Sequence, residues 1–373
     1  MSQRGRMVAF ITIITSVWTL LHVYVGERLL AQEPLPAAWR VLGWTGILLL
    51  ATGPALALWA GRSEGVPARR MIEVAGFTAM GLSSLLIVFA LVGDALRARA
   101  WLGASGFAIA VVGCALAVLV AGLWMARRPA TVRVVDVPIS GLPPDLQGFR
   151  IVQLSDLHVG PTLKRAFVER VVRTTNGLDP DVIALTGDVA DGFPPALRDE
   201  VAPLAALRAP HGKFFVTGNH EYYWDAAAWV RELEGLGFNA LVNRHQVIRR
   251  GTGRIVMAGV TDLSGGGLPG HASDPAAAVA GAPASDVKVL LAHQPRSAFA
   301  ARAAGYDLQL SGHTHGGQYF PFNLLVRLFQ PFVAGLHRLE AMWLYVSRGT
   351  GYWGPPLRLG APAEITLIQL VRA

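Results

Sequence analysis

Four long apolar runs precede residue 130, and they limit what this chain can fold into more than any other feature: Met7–Val25, Trp39–Ala60, Ile72–Val92 and Ser105–Met125. Each holds about 19 to 22 residues, enough at roughly 1.5 Å rise per residue to cross a hydrocarbon core near 30 Å. Lipid offers no partner to backbone N–H and C=O groups, so runs of this kind are expected as helices. Buried helices of a soluble protein are the alternative, disfavoured by four such runs in series with short polar links. Tyr24, Trp39, Trp59, Trp101 and Trp124 flank the runs as an interfacial belt would. Gly53 and Pro54 fall inside the second run, where a kink is tolerable. Arg4 and Arg6 before the first run resemble a signal peptide. That run exceeds the usual signal core and three more follow, so a retained helix is expected. His22, near its end, is read as an interfacial side chain.

Cation placement orients the runs. With the amino terminus inside, the inner segments hold Arg4, Arg6, Arg62, Arg69, Arg70, Arg127, Arg128 and Arg133, and the outer loops only Arg28, Arg40, Arg97 and Arg99. The bias puts both termini, and the soluble part, in the cytoplasm. Residues 1–130 carry 11 basic and 5 acidic residues, a net +6, whereas 131–373 carry 22 and 20, a net +2. The soluble part therefore lacks the electrostatic excess of a nucleic-acid binder. Cys114, the single cysteine, lies in the fourth run, which excludes an internal disulfide and a thiolate metal site.

From Thr131 the texture changes. Nine short segments read as strands: "TVRVVDVPI", "FRIVQLSD", "PDVIALTGD", "GKFFVTGNH", "RIVMAGVTD", "VKVLLAHQP", "YDLQLSGHTH", "MWLYVSRG" and "EITLIQLV". Helical patterns lie between several of them, as in Leu163–Thr175, which predicts a layered α/β domain over 131–373 behind a membrane region over 1–130. Most central strands end in polar residues: Asp156 and His158, Asp188, Asn219 and His220, His293, then His313 and His315. Such groups gather outside the carboxyl ends of strands in α/β sheets, so five strand ends are expected to converge on one site. In "LSGHTHGGQ" two imidazoles stand one residue apart among glycines that cannot build a core. Alternate residues of an extended chain point the same way, which would bring His313 and His315 to one place.

The series "SDLH", "TGDVADG", "GNHE", "LAHQP" and "GHTHGGQ" resembles the motif set of the calcineurin-like metallophosphoesterases, in particular their bacterial membrane-associated branch. The resemblance covers about residues 131–373, including the closing "VSRGTGYWGPPLRLGAPAEITLIQL", and excludes the apolar runs. It implies a four-layer αββα sandwich, here preceded by a four-helix transmembrane region, and a centre of two divalent ions. By resemblance Asp188 bridges the two ions, Asp156, His158 and His315 complete one, and Asn219, His293 and His313 complete the other. Oxygen and imidazole donors without thiolate suit Mn, Fe, Zn or Ni. A water bridging two such ions is acidified and supplies hydroxide for in-line attack on phosphorus.

His220, beside Asn219 but by resemblance not a ligand, is the candidate for hydrogen-bonding the phosphate and protonating the leaving group. Glu221 is expected either to orient that imidazole or to be a surface carboxylate, and Asp191 to be a turn or cap residue. Arg348 could reach a phosphate or form a structural ion pair, and Tyr222, Tyr223 and Trp224 line a cleft or belong to the core. Residues 319–339 are too apolar for an ordinary loop: an interfacial or lipid-accepting lip, or a helix packed on the sheet.

The expectation is a membrane-anchored phosphoesterase of the bacterial inner membrane, cleaving a monoester, diester or pyrophosphate bond. Membrane-associated members of the family include enzymes that cleave the pyrophosphate of a UDP-linked diacylated sugar, so a lipid-linked substrate enters by analogy. A nuclease of the same fold is disfavoured by the weak charge. A catalytically silent sensor or scaffold would show a broken ligand set, and a transporter would show a charge in mid-span; Glu73 and Asp94 stand at the edges.

Overall fold

The computed structural model describes residues 3–31, 35–63 and 66–373. Two compact units form, one of Met1–Met125 with Gly354–Leu357, the other of Ala126–Trp353 with Arg358–Ala373.

The helical unit holds α1 (Gln3–Gly26), α2 (Ala37–Arg62), α3 (Arg69–Ala95) and α4 (Ala98–Ala126), the last broken at Gly103 by a φ of 69°. Among the described residues, α2, α3 and α4 are long and apolar enough to cross a membrane. The first expected span, Met7–Val25, lies within α1, and part of it (Met7, Val8 and Phe10) falls outside the residues whose side chains are described. Small residues let α2 and α3 touch. A Cβ on Gly76 would stand 2.3 Å from the Gly53 carbonyl oxygen and 2.7 Å from Ala57 Cβ. His22 is buried between helices, its Nε2 3.0 Å from Ser83 Oγ. Glu73 and Asp94 are both paired, with Arg69 at 3.5 Å and Arg28 at 2.7 Å.

In the α/β unit all nine expected strands form. They are β1 (Thr131–Ile139), β2 (Phe149–Leu154), β3 (Val182–Leu185), β4 (Lys213–Phe215), β7 (Gly253–Gly259), β8 (Val287–Leu291), β9 (Leu308–Ser311), β11 (Met342–Val346) and β12 (Glu364–Arg372). Three further strands, β5 (Asn239–Ala240), β6 (Arg244–Arg250) and β10 (Gly335–Leu339), carry no sustained apolar run and lie at sheet edges. The first mixed sheet runs β1-β12-β2-β3-β4-β5 and the second β10-β11-β9-β8-β7-β6. Strands β2 to β5 are parallel, as are β7, β8, β9 and β11; β12 runs against β2, and β6 and β10 run against their neighbours.

Strand alternation sorts the side chains into layers. Ile151, Val182 and Phe214 of the first sheet meet Met257, Val289 and Leu310 of the second in a core between the sheets. Their neighbours Val152, Ile183 and Phe215 turn outward, onto Val168 of α5 (Arg165–Asn176) and Trp229 of α8 (Ala226–Gly235). On the far face Ala258, Leu290 and Val346 meet Ala278 of α9 (Pro275–Val279) and Ala298 of α10 (Ala298–Ala303). Helices thus cover the outer face of each sheet, and the carboxyl ends of the parallel strands are left to carry polar loops.

Candidate metal centre

The loops after β2, β3, β4, β8 and β9 meet. Their backbone is bent out of ordinary conformations where the polar side chains stand: Asp156, His158, Asp188, His313 and His315 all have positive φ, between 47° and 72°. Each such residue costs roughly 1–3 kcal/mol and persists only where its surroundings enforce it, which is the mark of a functional site. Two glycines make the convergence possible. A Cβ on Gly218 would lie 2.1 Å from Asp188 Oδ1, and one on Gly312 would lie 2.2 Å from Asp156 Oδ2.

The donor atoms form three overlapping groups: Asp156, His158 and His315; Asp188, His293 and His313; and His158, Asp191 and His220. Within each group they lie within 4.8 Å of one another. His293 Nε2 stands 3.2 Å from Asp188 Oδ2 and 3.2 Å from Asn219 Oδ1, and His313 Nδ1 is 2.9 Å from the same Asn219 oxygen. His158 Nε2 faces His315 Nε2 at 3.1 Å and Asp188 Oδ2 at 3.7 Å. All seven residues that the motifs single out therefore come together, with His220 beside them. The HxH pair does so differently from the extended-chain expectation. His313 and His315 lie on a left-handed bend and a 3-10 turn after β9, and each turns to a different donor group.

The donors suit divalent cations. They are carboxylate, amide and imidazole atoms, mostly buried, and Cys114 belongs to the helical unit. Asp188 is held well below the usual carboxylate range: burial pushes it up, but the charges of His293 and His220 outweigh that effect. Two buried imidazole nitrogens directed at each other, with carboxylates around them, are what a shared cation would relieve.

Three residues take parts that the sequence did not disclose. Asp191 is no mere turn residue. Its Oδ1 accepts from the imidazoles of His220, at 2.6 Å, and His158, at 3.1 Å. Burial lowers the His220 pKa, yet the Asp188 and Asp191 carboxylates raise it to about 9. Glu221 neither contacts the His220 ring nor faces solvent. It is fully buried and accepts backbone N–H groups from Gly218, Val189 and Asp188 at 2.6, 2.8 and 3.0 Å. Burial, then the charge of Asp188, pushes its carboxyl up to about 7. Arg358, 1% exposed, donates to the carbonyls of His315 at 3.1 Å, Arg348 at 2.8 Å and Ala361 at 3.1 Å, and to that of Gly351. Its Nη2 also lies 3.1 Å from His315 Nδ1. The only hint of that role was a single arginine inside the apolar stretch Trp353–Ala363.

Arg348 is engaged by Glu364 at 2.9 Å, the structural alternative. The aromatics divide: Tyr223 and Trp353 flank the His220 ring at 5.1 and 5.6 Å, whereas Trp224 is buried and Tyr222 bonds His271.

Two facing sheets whose strand ends present oxygen and imidazole donors define an α/β protein built around side chains that could hold metal ions. Comparison with known proteins names the kind. The Metallophos family, calcineurin-like phosphoesterase, matches residues 149–317. A Bos taurus protein named "Transmembrane protein with metallophosphoesterase domain" is 43% identical over 266 residues, which are 68% of this chain and 60% of that one. An uncharacterized metallophosphoesterase of Campylobacter jejuni is 36% identical over 266 residues, covering 71% of this chain and 69% of its own. One of Bacillus subtilis is 31% identical over 243 residues, 61% and 81% of the two chains. The chain belongs to the calcineurin-like metallophosphoesterase family. The chain spans about 60% of the length of the Bos taurus relative, and three of its described helices are long and apolar enough to cross a membrane.

Proposed function

We propose that this chain is an integral membrane, two-metal phosphoesterase. In this reading residues 1–130 form a four-helix transmembrane region and 131–373 a four-layer αββα catalytic domain on the cytoplasmic side of a bacterial inner membrane. Asp156, His158 and His315 would hold one ion, Asn219, His293 and His313 would hold the other, and Asp188 would serve both. The observation that carries the reading is the gathering of these side chains from five strand ends into donor groups within 4.8 Å.

Divalent ions bound there supply positive charge at the phosphoryl group and make water more acidic. The chain's own residues do the rest. His220 stands at the edge of the donor groups, with Asp191 on its Nδ1, which leaves Nε2 to carry the proton for a departing oxygen. Tyr223 and Trp353 wall that imidazole on two sides and limit water around it. Glu221 fixes the backbone on both sides of the centre by joining the loop after β3 to the loop after β4. Arg358 ties the HxH turn to the 348–351 loop. The substrate is a phosphoester, and the apolar segment after the HxH turn favours a lipid-linked one, such as a UDP-diacylated sugar, over nucleic acid.

Purified full-length chain, loaded with Mn or Zn and assayed on lipid-linked and water-soluble phosphoesters, tests the proposal. Two ions per chain and hydrolysis of a lipid-linked substrate are expected, and Asp188→Asn should lose most metal and nearly all turnover. No hydrolysis by the metal-loaded chain on any substrate would leave a silent scaffold; two ions at near wild-type rate in Asp188→Asn would overturn the bridge.

A further inference from the structure

Between the HxH turn and β10 the chain forms α11 (Phe322–Leu325) and a 3-10 turn at Val326–Leu328, and neither buries a single residue. Phe320, Leu324 and Leu325 are exposed, and Leu328 and Phe329 reach 75% and 73% exposure. Phe299 of α10 is exposed as well, and it meets Phe332 of the same segment at 5.8 Å between rings. Phe332 and β10 pack on the outer core of the second sheet, so the segment has a seated half and a bare half. Contiguous apolar side chains on a surface ordinarily mark something that covers them.

Both halves are fastened to the turn that carries the two histidines. Thr314, between the two histidines, donates its hydroxyl to the Val333 carbonyl at 2.6 Å. A Cβ on Gly317 would lie 2.3 Å from Asn323 Cα, so α11 rests directly against the turn that carries His315. Residues 319–339 contain no Asp or Glu, and the cations Arg296 and Arg327 are exposed at the margin, Arg296 donating to the Phe329 carbonyl at 3.3 Å.

We propose that Phe320, Leu324, Leu325, Leu328 and Phe329 insert into the interface of the bilayer that holds the apolar helices, with Arg296 and Arg327 at anionic headgroups. The inference rests on the membrane-anchored reading above and deepens it. Three observations choose a bilayer over a protein partner. The chain carries three described helices long and apolar enough to cross a membrane, and only Arg127–Ala130 separate α4 from β1. The patch is made of Phe and Leu with basic margins and no acidic group, the composition that suits anionic lipid. Its side chains project from two short, consecutive turns, a shape that wedges between headgroups and offers no groove to a peptide. Because the patch and the HxH turn are fastened together, the metal centre then works at headgroup depth. The substrate class that follows is an amphipathic phosphoester whose tail stays in the leaflet.

The test uses the full chain in nanodiscs. In a Cys114→Ser background, Leu328→Cys and, separately, Arg231→Cys at an exposed position of α8 carry an environment-sensitive fluorophore. Lipids bearing a nitroxide on the acyl chain should quench the probe at 328 roughly twofold or more and leave the probe at 231 unchanged. Quenching at 328 should grow when phosphatidylglycerol replaces part of the phosphatidylcholine, and Arg327→Gln should remove that growth. Equal, weak quenching at both positions overturns the proposal, and so does a disulfide-linked dimer through position 328, which would make a second copy the occupant. The readout needs no turnover. A chain inactive on every phosphoester but quenched at 328 refutes only the enzymatic reading; an active chain unquenched there refutes only the membrane contact.

Discussion

Replacing Glu221 with alanine separates two roles for this carboxylate. If it orients His220, as its position in "GNHE" invites, Glu221→Ala slows catalysis and leaves fold and metal alone. The geometry says otherwise, since Glu221 accepts three buried backbone N–H groups, from Gly218, Asp188 and Val189, at 2.6 to 3.0 Å. Each donor left unsatisfied costs about 1–3 kcal/mol. The three share one acceptor and a water can enter the space, so the losses do not add fully, and about 3–5 kcal/mol is expected. In a domain of this size each kcal/mol lowers Tm by about 2–4 °C, so a fall of roughly 6–20 °C follows. Asp188 hangs from one of the three amides, so metal content should fall as well. Thermal unfolding of the purified chain in detergent, followed with metal analysis, measures both. Glu221→Gln keeps the shape but turns an NH₂ toward donors, and it should fall between wild type and alanine. A Tm within about 2 °C of wild type, full metal and a large loss of rate would refute the clamp and restore the orienting role.

His220→Ala should keep both metals and slow hydrolysis by roughly 10²–10⁴, with a smaller loss on nitrophenyl esters, whose leaving group hardly needs a proton; loss of metal would make His220 a ligand. Asp191 raises the His220 pKa, and a general acid works only below its pKa, so Asp191→Asn should move the alkaline limb of the kcat–pH profile to lower pH. Arg358→Met removes the donors behind His315, and titration should show one of the two ions bound more weakly, with excess metal restoring it. A reporter fused after Ala373 should be active only as a cytoplasmic type; activity only outside would reverse the orientation.

Much of this was legible in one dimension, because it is written in local pattern. Apolar runs of membrane length stand out against any background, and nine strands announced themselves by short apolar stretches ending in polar residues. The seven donor residues were legible because strand ends in an α/β sheet share one rim, whatever the loops between them do. What lay out of reach depended on contacts between distant segments. Asp191 looks like any turn aspartate until the loop after β4 lays His220 against it. Glu221 looks catalytic until the buried amides of the β3 loop are found on its carboxylate. Arg358 is far in sequence from the turn it holds, and no periodicity connects the two. Strand alternation alone would bring His313 and His315 to one place, whereas the resemblance already divided them between two ions. The positive φ at both positions ends the strand geometry and sends each imidazole to a different carboxylate. Composition also marked 319–339 as too apolar for a loop, but only the packing divided it into a half that completes a sheet and a half that faces outward.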